Sequence, residues 1–349
     1  MQKRWLVPLA LVLVLLLTSC APAATPTAAP VETEAPVVAT EAPVVGPEAP
    51  AAPEALRVAL ILPGRIDDMA WNQAGYRSFL RLQGRMGSEI ETSWVENVYT
   101  NVDIVPALRD YAQRGYDIVL GHGFQFQEPL YEVAPEFPDT MFACGGWEAL
   151  ANMSIYDVRT DQSGYLEGYL AARMSQSGII GYVAGLEVAE LARFAAGYDL
   201  GASAANPDVE IRVVYTGDFH DVTAAREAVV GLAAQGVDVL AFMGDGTSLG
   251  ALAGCQQAGI YCMGNGTDVS QQAPELILTS GVWQWDAVWA EIIADYRAGT
   301  RGMQQYWATM ANGGLALTTL NSVVPEEVAT ELATIQEQII AGTLETGGP

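Results

Sequence analysis

A carboxylate, a large aromatic and an amide stand close together at Asp68, Trp71 and Asn72. They follow an apolar run, Leu56 to Leu62, closed by Pro63-Gly64. Similar polar and aromatic residues recur where later apolar runs end. They include His122, Phe124 and Phe126; Trp147; Asp218 and Asp221; Asp245 and Thr247; Asn265 and Asp268; and Ser280, Trp283 and Trp285. A flat heterocycle needs aromatic faces for stacking and a few hydrogen-bonding groups at its edge. Carboxylates accept from ring N–H and amino groups, while an amide both donates and accepts. The inventory matches a nucleobase. Several members also have structural readings: Asp161 and Asp221 as helix N-caps, and His122 as a satisfied structural histidine.

Other chemistries find no foothold. Lys3 is the only lysine, so the body of the chain has neither a Schiff-base lysine nor a P-loop lysine. MGDGTSLG is glycine-rich but lacks the Lys-Ser/Thr ending that binds phosphate. Ser248 is not in a G-x-S-x-G elbow. His122 and His220 have no partner set for a metal. No catalytic residue, metal or cofactor is assigned. A formal charge of −25 argues against a nucleic-acid partner, which would want a basic face.

The elements that must position these residues alternate. Apolar runs predict strands at 56–62, 89–95, 116–121, 138–143, 179–184, 209–216, 237–243, 260–264 and 276–280. Amphipathic stretches predict helices from near Met69, then at 102–114, 161–175, 188–204, 222–235, 248–258, 285–298 and 325–341. Residues 154–158 read as a crossing segment. Such alternation predicts an α/β protein with parallel sheets covered by helices, in which ligands sit beyond the carboxyl ends of strands. About 295 residues are large for one core and normal for two. The expected architecture is the type I periplasmic-binding-protein fold, with two doubly wound lobes joined by a hinge. Lobe 1 is expected at 55–158 plus 281–312 and lobe 2 at 159–280 plus 313–345.

The stretch LRVALILPGRIDDMAWNQAGY resembles the opening of the basic membrane lipoprotein (BMP) family, substrate-binding proteins of ABC importers typically for nucleosides or purine bases. DQSGYLEGYLAARMSQSGIIGYVAG, RFAAGYDLGASAANPDVEIRVVYTGDFHD, GVDVLAFMGDG and LTSGVWQWDAVW are similar to later family segments, so the resemblance runs from about Leu56 to Gly342. It implies a purine-like ligand, ABC permease and ATPase partners, a monomer and no enzyme activity. A sugar-binding or sensory protein of the same fold is the alternative. Phe194, beside Arg193, matches the family's stacking position in the second lobe. Nucleoside-binding relatives usually carry a lysine where Trp283 stands and an acid where Asn265 stands, which favours a base over a nucleoside. The expected ligand set is Asp68, Trp71, Asn72, Phe124, Trp147, Phe194, Asp245, Asn265, Asp268, Trp283 and Trp285.

The N-terminus has the pattern of an exported lipoprotein. A basic start, a short apolar stretch and Leu17-Thr18-Ser19-Cys20 read as a signal peptide over 1–20 that leaves Cys20 lipidated. Residues 21–54, rich in Ala, Pro, Thr, Val and Glu, read as a disordered tether. The body is then extracytoplasmic and anchored to the membrane by lipid. An exported protein permits a Cys255–Cys262 bridge, and two buried thiols are the equal alternative.

Overall fold

A computed structural model describes residues 54–348. The signal peptide, Cys20 and the tether up to residue 53 lie outside the described residues. The described chain builds two six-stranded sheets. The first has the order β2(Ile90–Val95), β1(Leu56–Ile61), β3(Ile118–Gly121), β4(Met141–Cys144), β5(Met153–Val158), β11(Gln305–Ala308). The second has the order β7(Glu210–Tyr215), β6(Ile179–Ala184), β8(Val239–Met243), β9(Tyr261–Gly266), β10(Ile277–Trp283), β12(Leu315–Leu317). Every pairing is parallel except β10 with β12. The central strands β1, β3, β4 and β8 are apolar and almost wholly buried, as strands covered on both faces must be.

The helices are α1(Trp71–Met86), α2(Asn101–Gln113), α3(Gln127–Val133), α4(Thr160–Met174), α5(Ala189–Ala205), α6(Val222–Ala234), α7(Asp245–Ala258), α8(Trp285–Arg297) and α9(Glu326–Ile340). Among the described residues no helix is long and apolar enough to cross a membrane. Helices α4 and α5 pack through glycines on both sides. A Cβ on Gly164 or Gly168 would strike the backbone of Phe194 or Tyr198, and one on Gly197 or Gly201 that of Asp161 or Tyr165. This close docking fixes the start of α5 beside the interlobe crossing.

The chain passes between sheets three times: from β5 to α4, from β10 to α8, and from β11 to β12. Gln162 Oε1 accepts from Met310 N at 2.8 Å, tying the first crossing to the third. The expected division at 281 moves. Gly281–Trp283 pair with Leu315–Leu317 and so remain in the second sheet. Residues 154–158, read as a crossing segment, form the body of β5. Helix α3 and strands β11 and β12 were not expected; they are short and carry no clear periodicity. Cys255 and Cys262 form a disulfide between α7 and β9, and Cys144 is a buried free thiol.

Candidate functional site

In each sheet the strand order reverses direction around one strand, between β1 and β3 and between β6 and β8. Such switch points open a crevice at the carboxyl ends of the strands. The two crevices face one another, and the loops leaving those four strands line the central cavity. The non-atom space there, counted out through its open mouth, is about 640 Å³.

The first-lobe wall is set by the loop between β1 and α1. Asp68 accepts from the backbone N–H of Ala70, Asn72 and Gln73, which caps α1. Asn72 donates to Asp68 Oδ2 at 2.6 Å and accepts from Gly64 N at 2.8 Å. Its amide is thus largely occupied in holding the loop, although the residue borders the cavity. Trp71 donates from Nε1 to His122 O at 2.9 Å and stacks on the His122 ring at 4.5 Å. His122 is fully buried, and burial pushes its pKa down to about 3. Its Nε2 lies 3.2 Å from Trp71 O, so Nε2 carries the proton and Nδ1 accepts from Tyr156. His122 is a structural support under Trp71.

Trp283 and Trp285 pack edge-on against Trp71, at 5.6 and 5.1 Å. Trp283 reaches the cavity, whereas Trp285 is fully buried as a second layer. Phe124 also borders the cavity. Trp147 is 68% exposed on the rim of an adjoining inner space.

From the second lobe come Asp245 at the start of α7 and Glu190 in the first turn of α5. Burial, and then the Asp68 carboxylate, raise the Asp245 pKa to about 8. Burial, and then Asp157, raise that of Glu190 to about 8, against the pull of Arg193. Arg193 donates to Asp157 Oδ2 at 2.9 Å and Val158 O at 2.7 Å, and lies over the Trp307 ring. It clamps α5 to the first lobe beside the crossing.

The lobes also touch at the mouth. Thr267 Oγ1 donates to Met69 O at 2.6 Å. Met69 has φ 64°, an uncommon backbone state for a residue with a side chain. The next residue, Ala70, faces Gly266, at φ 104°, where a Cβ would stand 3.1 Å from Ala70 Cα. Only glycine lets the two backbones approach so closely. The rings of Tyr99 and His220 meet across the same mouth at 6.3 Å.

Asp68, Trp71, Asn72, Phe124, Trp147, Asp245 and Trp283 therefore lie on this cavity and its adjoining spaces. Four expected residues do not. Phe194 is fully buried against Tyr182 and Tyr198, because the glycine contacts press its turn of α5 onto α4. Asn265 is buried and bonded to Glu167. Asp268 is exposed and accepts from Ser270 N. Trp285 supports Trp71 from behind. The sequence reading missed Glu190, Tyr99 and Phe219 as lining residues. Phe219 had a signal, since it stands in the turn between Asp218 and Asp221 after β7. Among the described residues no group of three or more His, Cys, Asp or Glu could hold a metal ion.

The model of the Bmp family, described as ABC transporter substrate-binding protein PnrA-like, matches residues 55–348. The chain belongs to the Bmp family. This Bmp protein is 28% identical over 294 residues to a purine-binding protein of Brucella abortus (strain 2308), covering 84% of this chain and 83% of that one. It is 28% identical to a putative ABC transporter glucose-binding protein of Haloferax volcanii (84% and 74%) and 26% identical to the transcriptional activator protein med of Bacillus subtilis (79% and 86%). Among solved structures it resembles an ABC transporter solute-binding protein from Conexibacter woesei, with TM-score 0.68, 26% identity and coverage of 83% and 98%. The two-sheet body is the type I fold of periplasmic solute-binding proteins. The Bmp family comprises substrate-binding proteins of ABC transporters rather than enzymes. Such proteins work outside the cytoplasm and pass small molecules to permease and ATPase subunits.

Proposed function

We propose that this Bmp protein is a lipid-anchored receptor that closes its two lobes on a purine base or nucleoside and presents it to an ABC importer. The observation that carries the ligand assignment is the aromatic cavity with a carboxyl at each side, formed where the two switch points face. The Brucella abortus relative named as purine-binding supports it. Trp71 and Phe219 supply faces from opposite lobes, and Trp283 closes one end. Asp245 and Glu190 supply edges. Leu17-Thr18-Ser19-Cys20 supports the anchor, with Cys20 as the lipidated residue.

A thermal-shift panel of purine and pyrimidine bases, nucleosides, riboflavin and sugars tests the ligand. A ligand at 100 times its Kd should add about 2.7 kcal/mol to stability. Stabilisation by a sugar and by no purine would instead support a glucose-type ligand, the reading that the Haloferax volcanii relative favours. The anchor is tested by membrane partition, which Cys20→Ala should abolish. Wild-type protein that is wholly soluble would refute it.

A further inference from the structure

Asp245 borders the central cavity and also the outer space lined by Asp67, Asp68 and Asn97. Glu190 borders the central cavity and also the inner space lined by Trp147, Arg193 and Trp307. The two carboxyls therefore reach toward different adjoining spaces, and Trp71 and Phe219 line the cavity they share. The cation beside Glu190 is Arg193, already bonded to Asp157 and Val158 O. Trp283, 4% exposed, lines the same cavity with an indole N–H that has no partner.

We propose that the ligand is a planar heterocycle with N–H donors on two opposite edges, gripped by Asp245 at one edge and Glu190 at the other. This rests on the purine reading and narrows it. A free base such as adenine has a ring N–H at one edge and an exocyclic amino group at the other. A substituent on that ring nitrogen, as in a nucleoside, removes one donor.

The grip has a proton cost that can be measured. An ionised carboxyl only accepts hydrogen bonds, whereas a protonated one also donates. Asp245 faces Asp68 from the β1–α1 loop, the Trp71 backbone N–H at the start of α1, and a cavity shared with His220. Glu190 faces Asp157 at the end of β5, Arg193 on its own helix and, after these, Asp245. Burial first, and then the acidic neighbours, keep both groups protonated to about pH 8 against the pull of Arg193 and the Trp71 N–H. Ligand N–H groups favour the ionised form, so binding expels protons. Affinity then rises with pH below 8, by up to about tenfold per pH unit for each carboxyl ionised.

The test is calorimetry of adenine at pH 7 in phosphate, HEPES and Tris, whose ionisation enthalpies differ, with affinities also measured from pH 6 to 8. Net proton release, an affinity gain of at least about tenfold over that range, and weaker binding of 9-methyladenine are expected. Glu190→Gln and Asp245→Asn should each reduce the proton release, while His220→Gln should leave it in place. Adenine binding without proton release, or equal binding of 9-methyladenine, overturns the two-edge grip and leaves the purine site standing. No purine binding at any of these pH values overturns both. The wild-type buffer dependence decides the matter even if a variant fails to fold.

Discussion

Asn265 Nδ2 donates to Glu167 Oε2 at 3.0 Å inside the second lobe. The remaining atoms of the pair, Glu167 Oε1 and Asn265 Oδ1, are buried without partners and both face Gly281. Burial holds the Glu167 carboxyl well above the usual carboxylate range. The raised pKa keeps this carboxyl protonated, and so neutral, in its buried place. The pair ties α4 to the end of β9, next to the Gly266–Thr267 contact with the first lobe.

The pair makes stability pH-dependent. Because the folded pKa is raised, the stabilisation is full below the unfolded value near 4.5 and is lost as pH rises toward the folded one. The slope is up to about 1.4 kcal/mol per pH unit. Glu167→Gln keeps a neutral acceptor for Asn265 Nδ2 and removes the slope. Denaturation of the two proteins between pH 5 and 8 should show the variant gaining on wild type as pH rises. A constant difference would mean that Glu167 ionises freely.

Phe219→Ala should weaken every ligand of the cavity by similar factors. A stacked ring contributes about 0.5–1.5 kcal/mol beyond its area, so a loss of several-fold or more is expected, with a small change in Tm because Phe219 is only half-buried. Phe194→Ala should do the reverse, costing about 3–5 kcal/mol of stability as a core deletion. Calorimetry and thermal unfolding of both variants separate the two roles. Loss of binding in a folded Phe194→Ala protein would return that residue to the site.

Thr267→Val removes the hydroxyl that bonds Met69 O across the mouth. A net hydrogen bond is worth about 1 kcal/mol. If the bond belongs to the closed state, affinity should fall about fivefold, and solution scattering should show a more open ligand-free form. Unchanged affinity and scattering would mean that the contact does not bias closure.

The Cys255–Cys262 bridge closes a short loop, with a sequence separation of 7 residues. Chain entropy gives it about 2.5 kcal/mol. Substituting both cysteines by serine should lower unfolding stability by about that amount and leave ligand affinity within twofold, since neither residue borders the cavity. Equal stability of the two proteins would show that the bridge contributes nothing.

Much of this architecture is legible in the sequence. The apolar run of β1, closed by Pro63-Gly64 and followed by Asp68, marks a strand, its end and a helix cap through local backbone chemistry. The alternation of such units determines parallel sheets, and the chain length determines two of them. Asp221 as a cap and His122 as a structural histidine were legible for the same reason: their partners are near in sequence or their environment is apolar.

Tertiary packing decided which side chains share the cavity. Phe194 and Phe219 are both aromatic and both near polar residues, and local spacing does not tell them apart. The glycine faces of α4 and α5, brought together across 33 positions at Gly164 and Gly197, bury the first, while the loop after β7 presents the second. Along the chain Glu190 is a first-turn acid of α5. It becomes a cavity carboxyl with a raised pKa because packing buries it and because β5 then brings Asp157 beside it from the other lobe. Its electrostatics depend on distances through space, which the order of residues along the chain does not contain.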